Sequence, residues 1–340
     1  MDIMLTIQPW NNKDLALQRV KLLKKLNIKK VRVNLKTLYK DEHFNDLFLF
    51  VREVNKIDSS LEWYFDIGIP ADTLRVIVQN SQYHFVINKN EKILFSFDEG
   101  DKYNEQSDYN HEKVVYIRKS KLSYSVDPVF VRDEYFLYGD GEVEFKICNV
   151  YDNGFEAKAL NAGEIWDGKA IHIINPTPVQ YESIDYVMKY IDGVTKLEKK
   201  YLICSFVEEA EQVFKVKEKT HMDVISKIET TKGILNLKEI ASESNGIMLG
   251  RGDLFMDTRN LTQFWELQQV FLEFIENNLD ISSIIATDIF ESLTNNKIPT
   301  RSDITDFCYI SMFSPGTICL SSSIFFSDNF EEIINTIQEK

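Results

Sequence analysis

The sequence predicts an α/β fold, a TIM (β/α)8 barrel with a small antiparallel β-barrel cap domain inserted after its third strand. Two observations lead to this prediction. Eight short apolar runs alternate with amphipathic stretches, and repeated units of this kind close into a parallel barrel. Between Asp66 and about Pro178 the period changes to short alternating segments separated by Gly, Asp and Asn, which is typical of an antiparallel sheet.

The barrel is expected in two parts, residues 1–77 and residues 179–340, on either side of the cap domain. The apolar runs that predict its strands lie at 4–8, 30–34, 62–66, 201–206, 224–228, 246–249, 281–286 and 317–320. Helices are expected between the strands, because apolar residues recur there every three or four positions. These helix-like stretches lie at 13–25, 44–55, 208–218, 232–242, 261–277, 301–311 and 329–338.

The cap domain is expected in residues 78–178. Its candidate strands alternate apolar and polar residues, as strands with one buried face do. They lie at 83–88, 92–97, 114–118, 134–138, 142–149 and 155–160. The Gly, Asp and Asn residues between them favour tight turns, so consecutive strands can pair with each other.

The composition excludes several classes of protein. A formal net charge of −14 gives an average field that repels nucleic acid and anionic lipid, so neither partner is expected. No run approaches the roughly 18 apolar residues of a membrane span. The four cysteines lack C-x-x-C spacing, which predicts neither a zinc ribbon nor a disulfide framework. We therefore expect a cytoplasmic protein that acts on small molecules.

Charged side chains follow two neighbouring apolar runs in the second part of the barrel. Alternation along a strand sends Lys227 and Glu229 to the same side, and residues that leave the next strand bring Asp253 beside them. Two carboxylates suit a hard divalent ion such as Mg²⁺ or Mn²⁺, and a nearby ammonium suits a developing negative charge. On these residues alone, a simple ion pair between Lys227 and Glu229 stays an open alternative.

Four short motifs resemble, in order along the chain, the active-site region of pyruvate kinases. They are S-K-I-E at 226–229, R-G-D-L at 251–254, A-T-D at 286–288 and P-T-R at 299–301. The architecture of that family, a barrel with a β-rich cap after strand three, agrees with the predicted fold. Because the chain stops at residue 340, it resembles a short, diverged member that lacks the usual C-terminal regulatory domain.

The resemblance implies a phosphotransferase that acts on phosphoenolpyruvate and ADP and forms pyruvate and ATP, with Mg²⁺ or Mn²⁺ as cofactor. In this family pattern, Lys227 contacts the phosphoryl group in flight, and Glu229 and Asp253 hold the metal. Thr287 resembles the threonine beside the enolate carbon. Arg32 resembles the arginine that supports phosphate binding, which adds a second catalytic cation.

Other positions match the substrate-binding and nucleotide-binding residues of the family. The substrate-binding set implied by the resemblance is Arg251, Gly252, Ser205 and, with a two-residue shift, Arg75. The implied nucleotide-binding set is Asn34, Asp140 and Lys169. The region that holds a monovalent cation in the family corresponds to Asn34, Lys36 and Asp66.

Several residues depart from the family pattern around the same site. Lys36 stands where the family has a serine ligand for potassium, and Ile67 stands where it has a threonine. Because an ammonium replaces oxygen ligands, we hypothesise that Lys36 fills the potassium position and that potassium is not required. Gln8 replaces a glycine near the N-terminus, and Ser323 replaces an acid after the last strand. Such changes around a retained metal and lysine set indicate a specialised enzyme.

Two alternative functions stay open at this point. One is a metal-dependent lyase or aldolase-type barrel enzyme that acts on a pyruvate enolate. The other is a non-catalytic pyruvate kinase-like protein with a binding or regulatory role. The cap residues Asp140 and Lys169 argue against the first, since such lyases need no nucleotide lid. Retention of the metal and lysine set argues against the second. The helical barrel exterior is compatible with a homo-oligomer.

Overall fold

A computed structural model of the chain describes residues 1–8, 12–35, 41–67, 74–78, 84–97, 113–119, 130–139, 141–167, 169–173, 188, 197, 199–258 and 260–339. The chain divides into two compact units. The first unit comprises Met1–Gly68 and Ile184–Lys340, and the second comprises Ile69–Ser183.

The strands follow one another along both units. In chain order they are β1 (Asp2–Thr6), β2 (Lys30–Asn34), β3 (Glu62–Ile67), β4 (Leu74–Ile77), β5 (His84–Ile87), β6 (Lys92–Ser96), β7 (Val114–Lys119), β8 (Tyr135–Tyr138), β9 (Val143–Tyr151), β10 (Gly154–Ala159), β11 (Gly163–Trp166), β12 (Ile171–Ile173), β13 (Lys200–Cys204), β14 (Asp223–Ile228), β15 (Gly246–Gly250), β16 (Ser282–Ala286) and β17 (Thr317–Leu320). Eight of them close into a parallel barrel in the order β1-β17-β16-β15-β14-β13-β3-β2. The predicted barrel is therefore confirmed.

Helices connect the barrel strands. They are α1 (Lys13–Leu23), α2 (Asp41–Ile57), α3 (Ala210–Thr220), α4 (Thr231–Leu235), α5 (Leu237–Glu243), α6 (Arg251–Thr258), α7 (Leu261–Glu276), α8 (Arg301–Ser311), α9 (Ser322–Phe326) and α10 (Phe330–Gln338). Asparagine side chains cap two of them: Asn12 accepts the N–H of Leu15 at 3.1 Å, and Asn260 accepts that of Thr262 at 2.9 Å. None of the helices among the described residues is long and apolar enough to cross a bilayer.

Apolar side chains fill the interior of the barrel, so it is a packed core and not a pore. The buried cluster contains Met4, Tyr64, Ile203, Ile225, Met248, Ile284, Ala286 and Cys319. The rings of Tyr64 and Tyr201 stack within it, with centroids 4.6 Å apart. This core occupies the interior of the barrel, and barrels of this kind bind their substrates at the opening where the strands end. We call the opening at the carboxyl ends of these strands the barrel mouth.

The barrel strands are also buried on their outer side, which explains why they appear as continuous apolar runs in the sequence. Trp63 and Phe65 on β3 are both fully buried. The ring of Phe65 packs on that of Phe48 in α2, with centroids 5.7 Å apart. Strand β15 is buried along its whole length. Helices that pack on one apolar face thus fix the strand ends from outside.

The second unit is the predicted cap, inserted in the chain between β3 and β13. Its main sheet has the order β12-β8-β9-β10-β6-β7-β4, and β5 pairs separately with β11. Neighbours in the main sheet are antiparallel except β6 and β7, which are parallel. Val76 on β4 donates its N–H to the carbonyl of Lys169, beside β12, at 2.9 Å, so the two ends of the sheet meet. Residues 74–77 were predicted as part of the barrel. In the structure they pair with β7 in this unit.

Aromatic rings form the core of the cap. The ring of Phe95 stacks on Phe155 with centroids 5.0 Å apart, and it meets Phe136 and Phe145 edge-on at 5.2 and 5.3 Å. All four side chains are fully buried. Offset and edge-to-face contacts of this kind add to the free energy gained from burial. The cap therefore has a hydrophobic core of its own.

We predict that Phe155→Ala lowers the free energy of unfolding of the cap by about 3–5 kcal/mol, because it removes a ring at the centre of this cluster. Val86→Ala is the matched control, since the Val86 side chain is half exposed and should change the value by less than about 0.5 kcal/mol. Urea denaturation followed by near-UV circular dichroism measures both. Equal stability of the two variants would contradict the assigned core.

Candidate active site at the barrel mouth

Arg32 on β2 and Asp66 on β3 form an ion pair at the barrel mouth. Arg32 donates to Oδ2 of Asp66 from Nε at 2.8 Å and from Nη2 at 2.5 Å. Its Nη1 donates to the hydroxyl of Thr6 on β1 at 3.0 Å. The Asp66 side chain is fully buried, and that of Arg32 is 13% exposed. Because an isolated buried charge is costly, each partner stabilises the other, and Arg32 is held as a fixed cation.

The charges around Arg32 keep it protonated. Burial is the largest single effect and lowers the pKa of its guanidinium, but the contributions of Asp66, Cys319 and Glu229 together raise the pKa by more, so the net shift is upward. Glu229, which follows β14, also raises the pKa of Arg32. Arg32, Asp66 and Thr6 thus form one hydrogen-bonded cluster on β2, β3 and β1.

Ser205 extends this cluster to the end of β13. Its hydroxyl donates to Oδ1 of Asp66 at 3.1 Å, and both side chains are fully buried. Burial raises the pKa of the neighbouring Cys204 thiol, and Asp66 raises it further, so this thiol stays protonated. The resemblance implied a substrate contact for Ser205, whereas in the structure its hydroxyl supports the aspartate.

Glu229 receives two donors and is fully buried. Its Oε2 accepts the N–H of Phe206 at 3.0 Å, and its Oε1 accepts a hydrogen bond from Nζ of Lys227. Phe206 has a φ of 54°, a left-handed conformation that directs its N–H to the carboxylate from the end of β13. Alternation along β14 predicted that Lys227 and Glu229 share one side, and the structure places them in direct contact.

Glycine at position 250 makes room for Glu229. A Cβ at Gly250 would lie 2.7 Å from Cγ of Glu229 and 2.8 Å from Oε1. These separations are shorter than a van der Waals contact, so any larger residue would displace the carboxylate. Strand β15 thus ends in a glycine beside the buried Glu229, which follows β14.

The end of β16 has an unusual backbone. Thr287, Asp288 and Phe290 have φ angles of 78°, 55° and 57°. Left-handed conformations are costly for residues with side chains, and a run of them is characteristic of a functional segment. Thr287 lies beside Gly252, where a Cβ would stand 3.0 Å from Cγ2 of the threonine. The structure therefore brings together two of the predicted site residues, Thr287 and Gly252.

Arg251 differs from its predicted role. Its Nε donates to the carbonyls of Ala286 at 3.3 Å and Thr287 at 3.2 Å, and its Nη2 donates to that of Thr287 at 2.5 Å. Its Nη1 donates to Oδ1 of Asp306 on α8 at 2.6 Å. The guanidinium therefore binds the backbone of this chain, while the resemblance implied a substrate contact. Asp306 was missed, because no motif pairs an acid on α8 with the start of α6.

The chemistry of Glu229 and Asp253 fits a hard divalent cation. Glu229 offers a buried carboxylate, and Asp253 is half-buried in the first turn of α6, which follows β15 directly. Carboxylate oxygens are the ligands that Mg²⁺ and Mn²⁺ prefer. Among the described residues, no group of three or more His, Cys, Asp or Glu side chains forms a larger metal cluster. Two carboxylates leave coordination positions for a substrate, as a catalytic metal requires.

Two residues that depart from the family pattern meet at the rim of the barrel mouth. The hydroxyl of Ser322 on α9 donates to Oε1 of Gln8, which follows β1, at 3.2 Å. Both positions follow barrel strands that neighbour each other, β17 and β1. The two polar side chains are thus in contact at the rim.

The remaining predicted residues are Asn34 in the barrel, Arg75 and Lys169 in the second unit, and two residues outside the described part of the chain. Lys36 and Asp140 lie outside the described residues. Arg75 belongs to β4 of the second unit, where its backbone pairs with Arg118, and its side chain is not described. Lys169 lies in the same unit, with its Nζ 2.7 Å from Oε1 of Glu142. Asn34, the last residue of β2, is half-buried and pairs in register with Asp66.

Removal of the buried acid should reveal the energetic importance of the Arg32–Asp66 pair. We predict that Asp66→Asn lowers the free energy of unfolding by about 3–5 kcal/mol, because it leaves the Arg32 charge buried without its partner. Glu331→Gln, in the exposed pair with Lys25, should cost less than about 1 kcal/mol. Urea denaturation, without guanidinium chloride, measures both free energies of unfolding. A cost for Asp66→Asn no larger than that of the control would contradict the pairing.

Comparison with known proteins agrees with this geometry. A family model described as the barrel domain of pyruvate kinase matches residues 1–323. The pyruvate kinase of Methanocaldococcus jannaschii is 33% identical over 220 residues, which cover 62% of this chain and 47% of that protein. That of Thermotoga maritima is 31% identical over 205 residues, covering 58% and 42%. The chain thus spans less than half the length of these relatives.

The family model covers nearly all of the barrel and the whole of the inserted unit. Within that span lie the buried Lys227–Glu229 pair, the Arg32–Asp66 pair and the strained end of β16. The Lys227–Glu229 pair and the strained end of β16 lie in two of the four motifs noted in the sequence. The chain belongs to the pyruvate kinase family.

Proposed function

We propose that this chain is a Mg²⁺-dependent phosphotransferase that transfers the phosphoryl group of phosphoenolpyruvate to ADP and forms pyruvate and ATP. The observation that carries the proposal is the Lys227–Glu229 pair, buried at the end of β14. A lysine and a carboxylate that are both hidden from solvent at the barrel mouth are costly to the fold and are characteristic of a functional site. The pyruvate kinases among the relatives support the choice of reaction.

Lys227 supplies a point charge for the transferring group. Its side chain is 7% exposed, so solvent screens its ammonium only weakly. In phosphoryl transfer, negative charge spreads over the oxygens of the moving group, and a fixed cation lowers the barrier by electrostatic stabilisation. Lys227 can point to such a group once its hydrogen bond to Glu229 is exchanged for one to a phosphate oxygen.

Glu229 and Asp253 would hold the divalent ion, Mg²⁺ or Mn²⁺. When bound there, the ion would neutralise charge on the substrate and help to orient it. The N–H of Phe206 fixes one oxygen of Glu229, so the carboxylate keeps its orientation when Lys227 turns to the substrate. Asp253 adds the second acid from the first turn of α6.

Arg32 acts as a second cation on β2, which is separated from β14 by β13 and β3 in the barrel. Asp66 and Thr6 hold its guanidinium through three hydrogen bonds, so little conformational entropy is lost when an anion binds. The exposed part of the side chain can contact a phosphate oxygen. Ser205 contributes indirectly, because it holds Asp66 in place.

Thr287 assists the proton transfer that completes the reaction. After the phosphoryl group leaves, the enolate carbon takes a proton from a water molecule that the Thr287 hydroxyl orients. Gly252 keeps the space beside Thr287 open, since a Cβ there would press on its methyl group. The backbone N–H groups at the start of α6 suit the substrate carboxylate.

The remaining assignments rest on the resemblance to the family. We propose that Asn34, Asp140 and Lys169 contribute to nucleotide binding, and that Arg75 contacts a substrate phosphate. We propose the division into barrel residues 1–77 and 179–340 and cap residues 78–178, except that residues 74–77 pair with a strand of the cap. We also propose that the protein acts in the cytoplasm on small molecules and forms a homo-oligomer.

Formation of ATP from phosphoenolpyruvate and ADP tests the proposed reaction directly. We expect ATP formation that requires Mg²⁺ or Mn²⁺, measured with luciferase and confirmed by the release of pyruvate. Absence of ATP together with cleavage of a carbon–carbon bond in a pyruvate-derived substrate would favour a lyase. Thermal stabilisation by phosphoenolpyruvate and ADP without any turnover would favour a binding or regulatory protein.

Lys227→Met should lower the turnover number by about 100-fold or more, because it removes the cation that faces the transferring group. Lys232→Met is the matched control: Lys232 lies on α4, four residues after β14, and its side chain is 52% exposed in ion pairs with Glu208 and Glu209. The control should keep turnover within about twofold of the unmodified protein. Near-normal turnover of the Lys227 variant would remove this residue from the mechanism.

Potassium should not stimulate the enzyme, since we propose that Lys36 supplies the positive charge in the monovalent-cation region. The test compares initial rates in potassium chloride and in tetramethylammonium chloride at equal ionic strength. We expect a ratio near one for the unmodified protein and a clear dependence on potassium for Lys36→Ser. Strong stimulation of the unmodified protein by potassium would contradict the substitution hypothesis.

A further inference from the structure

The guanidinium of Arg251 connects the end of β16 to helix α8. On one side it binds the carbonyl oxygens of Ala286 and Thr287, with three donor distances of 3.3, 3.2 and 2.5 Å. On the other side it binds Oδ1 of Asp306 at 2.6 Å. Arg251 is buried, so these groups replace water as its partners.

The carbonyl groups that Arg251 binds belong to the strained end of β16. Thr287 and Asp288 both have positive φ angles, which residues with side chains adopt only where their surroundings hold them. Two consecutive carbonyl oxygens bound to one planar cation fix the direction of the chain at this point. The position of the Thr287 hydroxyl therefore depends on the position of Arg251.

Asp306 fixes Arg251 from outside the barrel mouth. Its side chain is 31% exposed, and it lines a groove of about 490 Å³ on the outer surface of the barrel. The other residues of this groove are Trp265, Arg301, Ser302, Thr305 and Tyr309. Because Asp306 contacts solvent, its replacement leaves no closed cavity in the core. The effect of a substitution there should therefore reflect the lost contact with Arg251.

We propose that Asp306 is a positioning residue, which acts through Arg251 to hold the backbone of Ala286 and Thr287 and so places the Thr287 hydroxyl for proton transfer. The catalytic part of this inference rests on the proposed function. Asp306 contacts no reacting group. Its role is to restrain the guanidinium of Arg251, which would otherwise lose one of its hydrogen-bond partners. Charge also contributes, since a carboxylate binds a guanidinium more strongly than a neutral acceptor does.

The test combines local hydrogen exchange with steady-state kinetics on the full chain. Asp306→Ala should raise the amide exchange rate around residues 287–288 by about tenfold and lower kcat by about tenfold to 100-fold, because small misplacements of a catalytic group have effects of this size. The KM for phosphoenolpyruvate should stay within about twofold. Asp306→Asn keeps an acceptor without the charge. Its exchange rate and its kcat should lie between those of the unmodified protein and those of Asp306→Ala.

Asp257→Ala is the matched control. Asp257 lies on α6 like Arg251, and its Oδ2 accepts the N–H and the hydroxyl of Thr231, each at 2.7 Å. Loss of this acid removes a comparable tie of α6 without touching the end of β16. The control should therefore leave exchange around residues 287–288 and kcat unchanged, even where its melting temperature falls as far as that of Asp306→Ala.

Two results would overturn the inference. One is unchanged exchange around residues 287–288 in Asp306→Ala, which would show that the acid does not hold this backbone. The other is increased exchange with an unchanged kcat, which would show that the restraint does not serve catalysis. If the unmodified protein forms no ATP, the proposed function fails, and the exchange measurement alone still decides whether Asp306 holds the strand end.

Discussion

The paired charged side chains of this site are largely buried, so each cation needs an anion in contact with it. This requirement constrains the site more than any single motif does. Among the described residues of the barrel mouth, Arg32 and Lys227 are each in contact with a buried carboxylate, Asp66 or Glu229. Removal of any one of them would leave an unbalanced charge away from water. The same arrangement supports the proposed binding of an anionic substrate and a divalent cation, because the partners can be exchanged without exposing a lone charge.

The sequence predicts the barrel well because its strands are buried on both sides. Continuous apolar runs such as Gly246–Gly250 therefore stand out between amphipathic helices. The boundary at β4 was less predictable. Leu74–Ile77 is a short apolar run like those of the barrel, and only its pairing with β7 assigns it to the second unit. The parallel pair β6 and β7 was also hidden, since strand direction is set by pairing partners distant along the chain.

In the site as well, contacts between residues close in sequence were predictable, and contacts between distant residues were not. Period-two alternation along β14 was sufficient to place Lys227 beside Glu229. The partners of Arg32 and Arg251 were not predictable in this way, because Asp66 and Asp306 are 34 and 55 residues away in the chain. Resemblance to a family assigned both arginines to ligands, whereas the structure shows that much of each guanidinium is used to hold the protein itself.

Two of the residues that depart from the family pattern are in contact with each other. Gln8 and Ser322, each at a rim position where the family has glycine, are hydrogen-bonded to each other. The buried pairs deeper in the barrel mouth keep the residue types of the family.

The central claim is that Glu229 exchanges Lys227 for a divalent cation. Mn²⁺ binding tests this claim most directly, and it is measured as the decrease of the free-ion signal in electron paramagnetic resonance. The account predicts that the unmodified protein binds the ion and that Glu229→Gln weakens binding by about tenfold or more, because it removes a negatively charged ligand. Glu331→Gln, an exposed acid far along the chain, should bind as the unmodified protein does. Equal Mn²⁺ affinity in the Glu229 variant and the unmodified protein would contradict the account.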